Sequence, residues 1–357
     1  LTLEDMSQLR SNIFRAGLEA LYFSGAHHLL RPLLAGVGTI FMLHHVRPAR
    51  DDAFQPNRHL EITPDFLRAT LEHVRALDID IVTLDEMHRR LRERDFARRF
   101  ACFTFDDGYR DNRDFALPVM REFAAPFTVY VASDFASGTG KLWWVALERL
   151  IARADDLEAP AGGTTRRFNC RDTAGKRDAF AAMQGWLRGL PSDADINRNI
   201  SDHCRRHGVD DSTIARELCM SWSELQAFAA DPLVTIGAHT LSHCNIAKCS
   251  SDAAEREIAA SRSNIEARLD RPAVHFAYPY GDKGAAAARD FAMVRKLGFR
   301  TAVTTRPGML FAECADHMMA LPRLSLNGNY QDERLLKVLT SGAATAMWNG
   351  FRRVDAA

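Results

Sequence analysis

Two adjacent carboxylates, Asp106 and Asp107, follow the apolar run Ala101 to Phe105 and precede Gly108-Tyr109. Acids at the end of a core strand are costly to bury unless something binds them. In an extended chain, neighbouring side chains point to opposite sides, so the pair suits two different tasks. Asp-Gly is also a common turn pair, and this segment alone leaves a solvated turn open. A second segment narrows the choice. Gly237-Ala238-His239-Thr240-Leu241-Ser242-His243 follows another apolar run, Leu233 to Ile236. Histidines at i and i+4 meet on one face if the backbone turns helically, a spacing that suits two imidazoles on one metal. One carboxylate with two imidazoles leaves coordination positions open for water and substrate, as a catalytic rather than structural metal requires.

A third segment, Phe276-Ala277-Tyr278-Pro279-Tyr280-Gly281, runs from a strand pattern into a Pro–aromatic–Gly turn. Such a turn can aim backbone N–H groups at a developing oxyanion. Taken alone, it also reads as a packed loop.

These three segments resemble the polysaccharide deacetylases of carbohydrate esterase family 4, the nodulation-protein-B homology domain. The match is carried by Thr104-Phe105-Asp106-Asp107-Gly108 and His239-Thr240-x-x-His243, and the resemblance extends from about Thr39 to Leu326. It implies a distorted (β/α) barrel of about seven strands with its site at the C-terminal ends of the strands. It also implies roles: Asp106 as general base, Asp107 with His239 and His243 as ligands of a divalent metal (zinc by expectation), and the Tyr280 N–H at the oxyanion. The reaction implied is hydrolysis of N-acetyl groups on an amino-sugar glycan.

Two departures from the family pattern matter. The Arg usually found before the Pro turn is replaced by Ala277-Tyr278, and the late Leu-x-His motif reads Arg323-Leu324-Ser325-Leu326. Arg323 is a candidate replacement for the missing Arg, and it is carried with Trp143, Trp144 and Tyr109 as a candidate substrate-binding residue. For the missing His, the chain offers Leu43-His44-His45-Val46 after its first strand pattern. This resembles a variant branch of the family with an early Tyr-His-x-Val segment. First and last strands are neighbours in a closed barrel, so the exchange is geometrically possible. His44 and His45 must point in opposite directions, and the alignment favours His44 as the acid that protonates the leaving amine.

The elements that would position these residues are short apolar runs alternating with amphipathic helical patterns, which implies a largely parallel sheet. The strand candidates are Thr39–Leu43, Asp80–Thr83, Ala101–Phe105, Phe127–Ala132, Leu233–Gly237, Val274–Ala277, Arg300–Thr304 and Leu321–Leu326. Thr63-Pro64 opens a helix with Pro at its first position. Ser221 to Glu224 forms a capping-box pattern, and Ser251-Asp252 opens a long helix to about Leu269. Residues 1–36 read as a helical arm with apolar positions Leu9, Ile13, Leu18, Leu21 and Leu29. Residues 37–345 read as the barrel domain and 346–357 as a tail. A helical insertion at about 140–220 shows no strand pattern, and Ala159 to Thr165 within it reads as a loop.

The chain has 357 residues, 46% of them hydrophobic, with Lys+Arg and Asp+Glu both at 46. That balance gives no general affinity for polyanions, so nucleic acid is not an expected partner. The seven cysteines include no C-x-x-C pair, which favours a reducing compartment over a disulfide framework. Cys244, beside His243, reads more readily as a small buried residue than as a ligand. The most apolar stretch, Leu29 to Leu43, contains Arg31 and Pro32 and falls short of the ~18 residues of a span. No cleavage site follows it, so a cytoplasmic location is the expectation. Two other functions stay open. One is a same-fold amidase acting on a small C–N compound; the other is a catalytically inactive glycan-binding protein.

Overall fold

All eight apolar runs form strands, and seven of them close a parallel barrel. The computed structural model describes residues 3–161 and 163–355, with side chains in the first helix from Asn12 onward. The two ends of the expected arm and tail (residues 1–2 and 356–357), the Leu9 side chain and Gly162 lie outside the described residues. The barrel strands are β1 (Gly38–Leu43), β2 (Phe100–Phe105), β3 (Phe127–Val131), β4 (Val234–Ala238), β5 (His275–Ala277), β6 (Thr301–Pro307) and β7 (Leu321–Ser325). Around the barrel they run β1-β7-β6-β5-β4-β3-β2, and β2 pairs again with β1 to close it. β1 and β2 are buried along their whole length, as expected of parallel strands covered on both faces.

The eighth run, Asp80–Ile81, is not a barrel member. It pairs with Phe100 and Ala101 at the foot of β2, while β3 takes Phe103 to Phe105 on the same strand. The β6–β7 register is also broken. Val303 faces Leu321 but Pro307 faces Arg323, so four steps along β6 match two along β7. This irregularity leaves the Thr304 carbonyl to accept from Arg323 Nε at 2.8 Å.

The helices start where the sequence signals them. Thr63 caps Pro64–Ala76 by accepting from Phe66 N–H, and Ser221 and Glu224 form the expected reciprocal capping box. The helix Ser251–Leu269 opens and ends where expected, with Ser250 as its cap. In the N-terminal helix Leu18 is buried while Ile13 stands exposed, and Leu29 in the next helix is exposed too.

The expected loop at 159–165 is overturned. Asp156–Ala161 and Thr164–Asn169 form an antiparallel hairpin inside the otherwise helical insertion. Leu157, Ala159 and Phe168 point inward from it to the core built with helix Thr173–Gly189. The alternation that buries them is masked in the sequence by Gly, Pro and Thr. This second apolar core holds Phe54, Tyr109, Trp143 and Trp144 as well, beside the first core inside and around the barrel. No helix among the described residues is long and apolar enough to cross a membrane.

Candidate active site

β2 delivers its last residue, Phe105, directly to Asp106, whose N–H continues the ladder to the Leu43 carbonyl at 2.9 Å. Asp107 and Gly108 then turn into the left-handed region with φ of 74° and 70°. A Cβ on Gly108 would also press on Val131 at 3.3 Å, so both backbone shape and space select glycine. This left-handed turn, not the extended chain expected from the sequence, aims the two carboxylates at different partners.

Asp106 meets Arg323 in a fork: Nη1 donates to Oδ1 at 2.8 Å and Nη2 to Oδ2 at 2.7 Å. Both side chains are buried, Arg323 completely. The guanidinium is held in turn by the Thr304 carbonyl and Thr104 Oγ1. Burial alone would push the Asp106 carboxyl up, but the Arg323 charge and its two hydrogen bonds hold it below its usual range. Arg323 therefore does not line the cleft as a substrate-binding residue. It stands under Asp106 and pairs with its carboxylate through both terminal nitrogens.

Asp107 Oδ1 lies 3.5 Å from His239 Nε2 and 3.3 Å from His243 Nε2. It is a buried oxygen with no hydrogen-bond partner. Two ligand atoms each about 2.1 Å from a shared tetrahedral ion would be about 3.4 Å apart. The spacing and the orphaned oxygen thus fit a cation better than a hydrogen bond, and the three ligand atoms form one candidate metal group. His239 Nδ1–H donates to the Ala277 carbonyl at 2.7 Å. That bond fixes the tautomer and leaves the Nε2 lone pair toward Asp107. Burial disfavours the charged Asp107, yet the two imidazoles hold its carboxyl well below the ordinary range.

The two histidines do not meet on a helical turn. His239 to His243 is a loop, with Thr240 at φ 59° and His243 at φ 60°. These left-handed turns bring the rings to 4.9 Å. For a β-branched residue such as Thr240 that conformation is strained. It is over-determined from outside: the Thr240 and Leu241 carbonyls accept from Ser133 and Asp134 N–H, and Leu241 N–H donates to the Glu257 carbonyl. The Glu257 carboxylate accepts from both the N–H and the Oγ of Ser242 at 2.9 Å. Glu257 was not legible as a site residue, because it sits seven residues into a helix with an ordinary surface pattern.

His44 and His45 diverge as expected of neighbours. His44 Nε2 lies 3.9 Å from Asp106 Oδ2 and lines the cleft with Asp106, Asp107, His239 and His243. Burial pushes its imidazole down to about 4 against the opposite pull of Asp106 and Asp107. His45 instead bonds Asp111 at 2.6 Å and stacks on Tyr109 at 3.5 Å.

The cleft holds about 250 Å³. Trp143, Trp144 and Tyr280 form one wall, and each is held by polar contacts. Trp143 Nε1 donates to Tyr280 Oη at 2.9 Å, which donates to Asp193 Oδ1 at 3.0 Å. Asp193, from the insertion, also accepts from Asn245 N–H beyond the histidine loop. Tyr280 has φ 61°, and among the described residues no backbone or side-chain group accepts from its N–H. Tyr109 is not on the cleft surface. It is fully buried between His45 and Trp144, whose Nε1 donates to its hydroxyl at 3.3 Å.

The family model for polysaccharide deacetylase matches residues 195–302, the stretch holding both histidines and the Tyr280 turn. Over those residues the chain is similar to the polysaccharide deacetylase family. The aspartate pair lies outside that stretch, and three solved structures extend the likeness of fold across the barrel. The deacetylase PplD of Streptococcus pyogenes, in complex with acetate, is 16% identical with a TM-score of 0.56, over 84% of this chain and 97% of that one. A polysaccharide deacetylase of Bacillus cereus is 14% identical with a TM-score of 0.50, over 81% of this chain and 65% of its own. A putative polysaccharide deacetylase of Bacillus anthracis has the same identity and TM-score, over 82% and 65%. No curated protein matches the sequence. The barrel of this chain thus shares its fold with those structures.

Proposed function

We propose that this protein hydrolyses N-acetyl groups on an amino-sugar glycan, with Asp107, His239 and His243 as ligands of a divalent cation, zinc by its donor set. The observation that carries the reading is the unpartnered Asp107 oxygen between two imidazole nitrogens, beside a second carboxylate held by Arg323. A cation bound there supplies positive charge that polarises the acetamide carbonyl and makes water a stronger nucleophile at neutral pH.

The chain's own groups do the rest. Asp106, kept ionised by Arg323, takes the proton of the attacking water. The Tyr280 N–H donates to the oxygen that becomes negative. His44, neutral at rest, lies 3.9 Å from Asp106 Oδ2. Passage of the proton from Asp106 to His44 requires this gap to close to hydrogen-bond distance in the substrate complex, after which His44 delivers it to the departing amine. Trp143 and Trp144 offer an apolar wall to a sugar face. Residues 37–345 constitute the catalytic barrel in this reading, and the protein acts in the cytoplasm.

Acetate release from N-acetylglucosamine oligomers tests this directly. Release by the wild type and none by Asp106→Asn supports the reading. Binding of the oligomers without release points to the inactive glycan-binding alternative, and release only from small amides to the amidase.

A further inference from the structure

A second groove of about 600 Å³ opens from the catalytic cleft. His59 and Gln184 line both, so the two spaces adjoin. Four separate segments build the groove: Asn12 and Arg15 from the N-terminal helix, Pro56 to His59, Phe180 to Gln184 from the insertion, and Gly328 to Tyr330 after β7. Its wall is tightly made. A Cβ on Gly328 would lie 2.3 Å from the Arg58 carbonyl and 2.6 Å from that of Glu61, so the two loops touch backbone to backbone. Gln331 Oε1 ties the same loops by accepting from Thr63 N–H at 2.8 Å.

The lining is one-sided in charge. It holds Arg15 and Arg58 but no Asp or Glu, in a chain whose acids and bases balance at 46 each. Arg15 is shared with Glu19 at 3.1 Å. Among the described residues, the Arg58 guanidinium meets no carboxylate and is exposed. Asn12, Gln184 and Asn329 add hydrogen-bonding groups suited to hydroxyls, and Tyr330 adds a ring. A neutral chitin-like chain would leave the Arg58 guanidinium unused and add nothing to the Arg15–Glu19 pair. Guanidinium groups match carboxylate and phosphate oxygens in charge and geometry.

We propose that this groove binds an anionic group, carboxylate or phosphate, on an acidic N-acetylated glycan whose acetamide occupies the adjoining catalytic cleft. The proposal rests on the deacetylase reading of that cleft and specifies its substrate class. Arg58 is the principal contact and Arg15 the second.

The test is direct binding to the Asp106→Asn protein, so that no turnover is needed. Three oligosaccharides of equal length serve as probes: neutral N-acetylglucosamine oligomers, oligomers alternating N-acetylglucosamine with glucuronate, and neutral oligomers ending in a phosphate. The proposal expects one acidic series to bind about 10-fold more tightly than the neutral one. The better of the two identifies the group. That preference should shrink as ionic strength rises and fall to about 1 in the Arg15→Ala/Arg58→Ala protein, while Arg58→Lys retains part of it. Equal affinity for all three probes would overturn the proposal, as would a preference that survives loss of both arginines. If the wild type releases no acetate from any probe, the deacetylase reading fails separately, and the binding comparison still decides the groove.

Discussion

Arg323 and Asp106 stand 217 residues apart in the chain yet form a two-pronged ion pair at 2.7 and 2.8 Å, buried on both sides. Closure of the barrel makes the pair possible, because β7 and β2 both flank β1. Removing one partner strands the other charge. Arg323→Met is therefore expected to lower stability by about 3–5 kcal/mol and to reduce turnover by about 10²-fold or more. Denaturant unfolding and acetate release on the same preparation check both. Arg323→Lys restores the charge without the fork and should recover stability more than rate. A stable, fully active Arg323→Met protein would show that Asp106 needs no such partner.

The two aspartates should separate by readout. Asp106→Asn is expected to keep its zinc and lose turnover, since an amide cannot accept the proton. Asp107→Asn is expected to lose zinc affinity. Metal content after dialysis distinguishes them, and equal metal loss in both would contradict the division of roles.

His44 and His45 provide a matched pair, one on the cleft and one behind it. His44→Ala should lower kcat by about 10²–10⁴-fold with metal content unchanged. His45→Ala should leave chemistry largely intact and act on stability, through the lost Asp111 bond and Tyr109 stacking. Near-normal turnover in His44→Ala would remove His44 as the proton donor.

Glu257 holds the histidine loop without touching the site. Glu257→Ala frees the Ser242 N–H and Oγ and relaxes the strained loop. The expected result is a 10- to 100-fold weaker zinc affinity, about the effect of losing an outer support of a metal ligand. Zinc titration with a competing chelator measures it, and unchanged affinity would show that the loop holds its shape without the carboxylate.

The parts of the site written as contiguous motifs were legible in the sequence. Asp106-Asp107-Gly108 and His239 to His243 each sit directly after an apolar strand, so type, spacing and strand-end position agreed. What brings the histidines together was not legible. It is a loop with Thr240 and His243 at positive φ, supported by Glu257 from a later helix. The hairpin at 156–169 was hidden for a different reason. Its Gly, Pro and Thr signal a loop locally, and only the packing of Leu157 and Phe168 into the insertion core makes it a sheet. Tyr109 illustrates the same limit, since an aromatic beside a catalytic motif looks like a substrate contact until burial places it behind the wall. Arg323 could be proposed as a replacement, but its fork on Asp106 depends on barrel closure and the broken β6–β7 register.

Deacetylation is proposed to depend on a metal held by Asp107, His239 and His243. The most direct test of that dependence is acetate release from N-acetylglucosamine oligomers before chelation, after chelation and after adding back one equivalent of zinc. Release should stop on chelation and return with zinc in the wild type, whereas His239→Ala should neither retain stoichiometric zinc nor regain activity. Acetate release indifferent to chelation, or full activity in His239→Ala, would contradict it.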